Sequence, residues 1–181
     1  MEKIFPCYIA GFETDHILKI SSDVITTIIR SGKLIEPTRR ACFATFQDLR
    51  ISNLCFPATF TSAFGYDFPE EKFAENCRSL SIEKITRTLG FKEHFCSRQS
   101  RNEKKSMWAG GFVLELIGIA GSLSGFKEVE DEATILTCLH RFGALDKKTL
   151  NELQTQILLL DEGDKVIRKL TEFLDITSYI G

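Results

Sequence analysis

Apolar residues along this chain fall mostly three and four positions apart, the spacing of one helix face. Residues 14 to 32 open on Thr14-Asp15, carry Ile17, Leu18, Val24, Ile25, Ile28 and Ile29, and stop at Gly32. Ser21-Ser22-Asp23 lies inside that span, and its side chains compete for backbone donors, which predicts two short helices. Glu36-Pro37 predicts the next helix start, with Cys42, Phe43, Phe46 and Leu49 on its inner face. Phe56, Phe60, Phe64 and Phe68 then recur every four residues, as one slanted stripe along a helical segment that Gly65 and Asp67 interrupt. Pro69-Glu70-Glu71 opens a helix with Phe73, Ala74 and Cys77 inward, ending near Arg78-Ser79. Another runs from Ser81 to Gly90, with Ile82, Ile85 and Leu89 as its stripe.

Met107 to Phe126 is the most apolar stretch. It reads as a central helix over about residues 107–124, apolar all round and buried by its neighbours. Its length approaches a membrane span, but Glu115 near its middle and its frequent glycines and serines argue against one. Gly118, Ala120 and Gly121 would let neighbouring helices approach closely. The last third predicts three helices. Glu128 to Phe142 has an acidic start, Asp146 caps a second with Leu150, Leu153, Ile157 and Leu160 inward, and Val166, Leu170, Phe173 and Leu174 mark a third. The expected fold is therefore a mostly α, single-domain helical bundle over residues 1–181. It has a Phe-rich part at 1–95 and a helical scaffold at 107–181 around the central helix. Residues 1–12 and 50–56, rich in β-branched and aromatic side chains, leave room for a short β element near the N-terminus.

Composition adds limits. With 181 residues, 43% hydrophobic and 27% charged, the chain can bury one core and is too apolar to be disordered. The net charge of -2 excludes a uniformly basic surface built for phosphate backbones. Charge is uneven, however. Residues 87–105 hold Arg87, Lys92, Arg98, Arg101, Lys104 and Lys105 against Glu93 and Glu103, a balance of +4, whereas 128–181 carry eleven acids and six bases, a balance of -5. Phenylalanine makes up 15 residues, beside 3 tyrosines and 1 tryptophan, and most of the Phe lie before residue 96.

Six scattered cysteines with no C-x-x-C pair read as buried reduced thiols in a reducing cytoplasm, and residues 1–7, with no cationic stretch leading into an apolar run, give no expectation of a cleaved signal. Export by a signal-less secretion system would leave the same trace. His94-Phe95-Cys96 and Cys138-Leu139-His140 invite a zinc reading, but residues two apart on a helix point away from each other, so no metal and no cofactor are expected. No phosphate loop, nucleophile elbow or H-E-x-x-H motif is present, and nothing in the pattern points to an enzyme.

Two segments carry likenesses. Ile85, Thr86, Leu89, Gly90 and Phe91 fit a helix-turn-helix pattern, and residues 80–94 resemble the first recognition unit of AraC-type bacterial regulators. Thr86 stands where that family has a small alanine. The resemblance implies Arg98, Gln99 and Arg101 in a major groove or on phosphates. Trp108-Ala109-Gly110-Gly111-Phe112-Val113-Leu114 is similar to the first homology segment of Bcl-2-like helical bundles, without that family's arginine, so the likeness is one of architecture alone. The favoured reading is a non-enzymatic protein-binding module, an adaptor, regulator, inhibitor or effector-type protein. Its partner-binding residues would be Phe56, Phe60, Phe64, Phe68, Lys92, Arg98, Arg101, Lys104 and Lys105. The alternative is a helix-turn-helix DNA-binding regulator using residues 82–101.

Overall fold

The computed structural model describes residues 8–32, 38–50 and 59–180. Its first element is a small hairpin of β1 (Tyr8–Ile9) and β2 (Phe12–Glu13), followed by α1 (Thr14–Arg30). β3 (Ala41–Asp48), β4 (Thr59–Gly65) and α2 (Glu71–Leu89) come next, then two 3-10 turns at Ser97–Ser100 and Glu103–Lys105. β5 (Gly111–Leu114), β6 (Ile119–Ser124), α3 (Glu128–Arg141), α4 (Lys147–Ile157) and α5 (Gly163–Ile176) complete it. Strands β3 to β6 form an antiparallel sheet in the order β4-β3-β6-β5.

Successive strand residues point to opposite faces, and the pairing Phe46↔Gly121 and Thr45↔Ser122 sorts the layers. The Thr45 hydroxyl bonds Ser81 of α2 at 2.8 Å and the Ser122 hydroxyl donates to the Ser81 carbonyl, so α2 covers that face. On the other face Phe46 meets Phe60 and Phe142, and α1 and α3 pack over it, with α5 lying against α3. Gly121 has no side chain where Ile135 and Leu139 of α3 press against the sheet, which sets the close approach of helix and strand.

The fold is thus mixed α/β, with five helices and two sheets among the described residues, and the expected all-α helical bundle is wrong. The central helix expected at 107–124 is the β5–β6 hairpin, and the Bcl-2-like likeness at Trp108 to Leu114 falls on a strand. Buried on both faces, that hairpin shows no apolar-polar alternation, and a continuous apolar run does not distinguish strand from buried helix. The same cause overturns the helix expected after Pro37: Cys42, Ala44 and Phe46 lie on the face opposite α2 while Thr45 faces α2, and all four are buried, so β3 is enclosed on both sides. A four-residue repeat is also even, so Phe60 and Phe64 share a face of β4.

Other expectations need smaller changes. α1 is one helix, because Ser21 is buried beside Cys138 of α3 and caps nothing. α2 likewise runs unbroken through residues 79–81, and Ile82 and Leu89, expected inside, are 41% and 39% exposed. The three C-terminal helices lie where their periodicity placed them, with Asp146 accepting the Thr149 N–H at 2.7 Å as a helix cap. A short β element does occur near the N-terminus as β1–β2; residues 50–56, the other half of that expectation, lie almost wholly outside the described residues.

Asp48, at the end of β3, anchors that hairpin. Its carboxylate accepts the Ala10 N–H at 2.6 Å in the β1–β2 turn, where Ala10 and Gly11 have φ of 52° and 89°, and it accepts Arg50 Nη2 at 2.8 Å. The Arg50 side chain, with the backbone N–H groups of Arg50 and Ala10, holds the carboxyl down to about 2. A carboxyl depressed in the folded state stabilises the fold above its unfolded pKa, and that contribution is lost as pH falls from about 4 towards 2. Asp48→Asn is expected to remove about 2 kcal/mol at pH 7 and to flatten the acid limb of a urea stability profile measured from pH 6 to 2. An unchanged acid limb would show that Asp48 does not drive it.

Candidate functional site

Four acids occupy the first turns of α3: Glu128, Glu130, Asp131 and Glu132. A helix N-terminus favours negative charge, which accounts for the cluster locally, but the tertiary structure uses it further. Lys84 of α2 reaches across to Asp131 at 2.9 Å and donates to the Leu123 carbonyl at 2.7 Å, with both charged side chains buried. Arg98 sends its Nε to both Glu132 oxygens at 3.0 and 3.1 Å and also donates to the Asp161 carbonyl in the α4–α5 connection. Arg101 makes the same fork on Glu128 at 2.9 Å, and Glu128 accepts the Ala109 N–H at 2.6 Å. Arg87 donates to the Ser97 and Trp108 carbonyls and to the Ser100 hydroxyl.

Residue 110 must be glycine for this arrangement to exist. Its φ is 122°, and a Cβ there would lie 2.7 Å from Lys84 Nζ and 2.8 Å from the Leu123 carbonyl. Burial pushes the Asp131 carboxyl up to about 7, against the pull of Lys84 and of the Phe126 N–H. Burial raises Glu132 as well, opposed by Arg98.

Above this cluster lies a cleft of about 800 Å³. Phe73, Cys77 and Leu80 of α2 form one wall, Trp108 and Val129 line it, and Lys84 and Asp131 lie at its floor. Lys165, Arg168, Lys169 and Glu172 of α5 form the opposite rim, where Lys165 pairs with Glu162 and Lys169 with Glu172. Cys77 is buried, its thiol pushed up by burial. Burial raises the other described thiols too, Cys42 well above the ordinary range and Cys96 and Cys138 to about 12. A nucleophilic cysteine needs the opposite environment. Among the described residues no group of three or more His, Cys, Asp or Glu could hold a metal ion, and no helix is long and apolar enough to cross a membrane.

The residues singled out from sequence go to different places. Phe56 lies outside the described residues. Phe60 is half-buried on Phe46, Phe64 is buried, and Phe68 stacks on Phe43 at 5.1 Å on the α2 face, so the four-residue ladder makes no continuous stripe. Arg98 is 5% exposed and Arg101 is held by Glu128 and Glu103; only Lys92, Lys104 and Lys105 of the basic set are exposed. No second helix follows Gly90: the chain makes turns to residue 94 and a 3-10 turn at Ser97–Ser100. Gln99, the other expected base-reading residue, accepts the Phe95 and Cys96 N–H groups. His94 stacks on Phe91 and His140 Nδ1 bonds the Leu145 carbonyl, so the two Cys/His pairs serve separate local contacts.

Lys84, Asp131, Glu132 and the walls of the cleft were not among the residues predicted from sequence. One signal was available. Cys77, Ser81, Lys84 and Thr88 follow a four-three-four spacing, so a stripe of small and polar residues with one lysine is the buried face of α2. Comparison with protein-family models, with curated proteins and with solved structures finds no match to this chain.

Two measurements test the site. Lys84→Met strands the Asp131 charge and is expected to cost about 3–5 kcal/mol in urea unfolding, while Lys84→Met/Asp131→Leu recovers most of that loss. Equal losses in the single and double variants would show that the pair is not coupled. In a Cys7→Ser/Cys55→Ser background, the four remaining thiols are expected to react with a disulfide reagent at pH 8 only at the rate of unfolding; one fast thiol would contradict their assignment as buried and inert.

Proposed function

We propose that the protein is a non-enzymatic binding module, an adaptor or regulator that grips a segment of another protein in the cleft between α2, α3 and α5. The observation that carries this reading is the pairing of an apolar wall with a floor whose charges already satisfy one another. Phe73, Leu80, Trp108 and Val129 are half-buried, so apolar surface remains for a partner's side chain to cover. Clefts of roughly 300–1,000 Å³ admit a ligand of drug size or a few anchoring side chains.

The floor suits shape recognition better than proton transfer. Lys84 donates to Asp131 and Leu123, and Asp131 also accepts the Phe126 N–H, so these groups hold the sheet edge and the α3 terminus in place. The rim carries both signs, with Arg168 and Lys165 beside Glu162 and Glu172, which favours orienting a mixed-charge segment over capturing a polyanion. Exposed Lys92, Lys104 and Lys105 add long-range attraction for an acidic partner at the periphery.

A photo-crosslinking residue at Phe73 should capture a partner segment that the same residue at exposed Tyr179 does not. The captured segment, made as a peptide, should bind the purified protein at least about tenfold more tightly than it binds Val129→Arg, whose melting temperature stays unchanged. Equal affinity for both proteins, or capture only from Tyr179, overturns the reading.

A further inference from the structure

α4 differs from the other four helices in how it is held. α1 reaches the Tyr179 hydroxyl through Thr27 at 2.9 Å, α2 reaches Asp131 through Lys84, α3 holds Lys84 and Arg98, and α5 offers its Leu174 carbonyl to Arg141. Among the described residues no hydrogen bond or ion pair runs from Lys147–Ile157 to another element: Lys148 pairs with Glu152, and the Thr155 hydroxyl donates to the Asn151 carbonyl, both within the helix. Its hold on the body is the buried stripe of Leu150, Leu153 and Ile157, whereas α3 is buried without a break over residues 130–139. The sequence of α4 adds little of its own. At 11 residues it is shorter than the roughly 12–15 at which an isolated helix is even marginal in water. Thr149, Asn151, Thr155 and Ile157 are weak helix formers. Lys147 and Lys148 stand in its first turn, where the macrodipole disfavours cations, while each of the other four α-helices carries an acid there.

Both ends of the segment are clipped. On the α3 side Leu145 is buried, its N–H donates to the Leu139 carbonyl at 3.1 Å, and His140 Nδ1 donates to the Leu145 carbonyl at 2.6 Å. On the α5 side Arg98, itself held by Glu132, donates to the Asp161 carbonyl at 3.0 Å. Between these clips α4 forms one wall of a recess of about 260 Å³, which shares no lining residue with the cleft between α2, α3 and α5. Phe95 and the hairpin residues Val113, Leu114 and Ile117 line the recess, together with Leu153 and Gln156 of α4. We infer that α4 is a strap: it detaches and unfolds over residues 147–157 while both clips, the sheet, α3 and α5 stay in place, and in doing so it enlarges the recess and bares the apolar lining. A helix too short to persist alone loses its form once Leu150, Leu153 and Ile157 leave the body, so undocking and unfolding are one step. The clips keep the two ends where they were, so the segment closes again as a short tethered loop. Proteins open in such units at free energies below that of global unfolding. The open form presents Phe95, Val113, Leu114 and Ile117 to solvent, so the strap sets how much apolar surface the molecule shows on this side.

Native-state hydrogen exchange of the full chain, read by mass spectrometry, tests this. Amides of residues 150–157 are expected to be at least about hundredfold less protected than those of residues 135–139 in α3. Ile135→Val, which loosens the packing of α3 on the sheet, should speed exchange in α3 severalfold and leave α4 unchanged, because α4 opens without α3. In the Cys7→Ser/Cys55→Ser background, Leu150→Cys should react with a disulfide reagent at least about hundredfold faster than the four native thiols of the same molecule, Cys42, Cys77, Cys96 and Cys138. Equal protection of α3 and α4, with both moving together in Ile135→Val, overturns the inference. So does a thiol at position 150 that reacts no faster than the native four, a ratio that holds its meaning even where the substitution destabilises the whole chain.

Discussion

Charge neutralisation at the start of α3 is the constraint on which the remaining architecture depends. Three acids there, Glu128, Asp131 and Glu132, draw in Arg101, Lys84 and Arg98 from elements far away in the chain. Buried ion pairs add little net stability over well-packed apolar residues of the same size, because both ions lose their water, but a buried charge left without its partner is costly. Such pairs therefore discriminate between arrangements. With Lys84 in contact with Asp131, α2 has one position along the sheet. With Arg98 on Glu132 and on the Asp161 carbonyl, the stretch after Gly90, which has little regular structure of its own, is tied at once to α3 and to the α4–α5 connection.

How much of this was legible in the sequence depended on where each element sits. α1, α4 and α5 each keep a solvent-facing side, so the 3.6-residue period of residues such as Ile17, Val24 and Ile28 or Val166, Leu170 and Phe173 is visible. β3 and the β5–β6 hairpin are enclosed by helices on both sides. Their period of two is erased, because Thr45 and Ser122, the residues that might have marked a polar face, are themselves buried against Ser81. α2 misled in the opposite direction, since its buried face carries Ser81, Lys84 and Thr88 while Ile82 and Leu89 face outward.

The charge asymmetry was read correctly as arithmetic, but only part of it lies at the surface, in Lys92, Lys104 and Lys105. The +4 segment and the acidic C-terminal third suggested a basic patch for an external partner, yet Arg98 and Arg101 complement Glu132 and Glu128 within the same molecule. A strongly basic stretch followed by a strongly acidic one is as consistent with internal pairing as with recognition, and composition alone does not separate the two. The cleft was hidden for a related reason. Its walls come from α2, α3, α5 and the loop carrying Trp108, and no local pattern announces that they meet.

The strand order has a consequence for how the molecule comes into being. β3 lies between β4, its neighbour in sequence, and β6, whose paired residues are roughly 70–80 positions further along the chain. A ribosome that has released β3 and β4 has made a hairpin with one side of its inner strand still open, and the strand that closes it emerges only after α2 and the irregular segment behind it. Formation of the sheet is therefore a late event dominated by distant contacts, so this chain belongs with slow folders despite its helix-rich content. During that interval the β3 and β4 strands, which carry Asp48 as their one charged residue, are the part of the nascent protein with most need of protection from other chains.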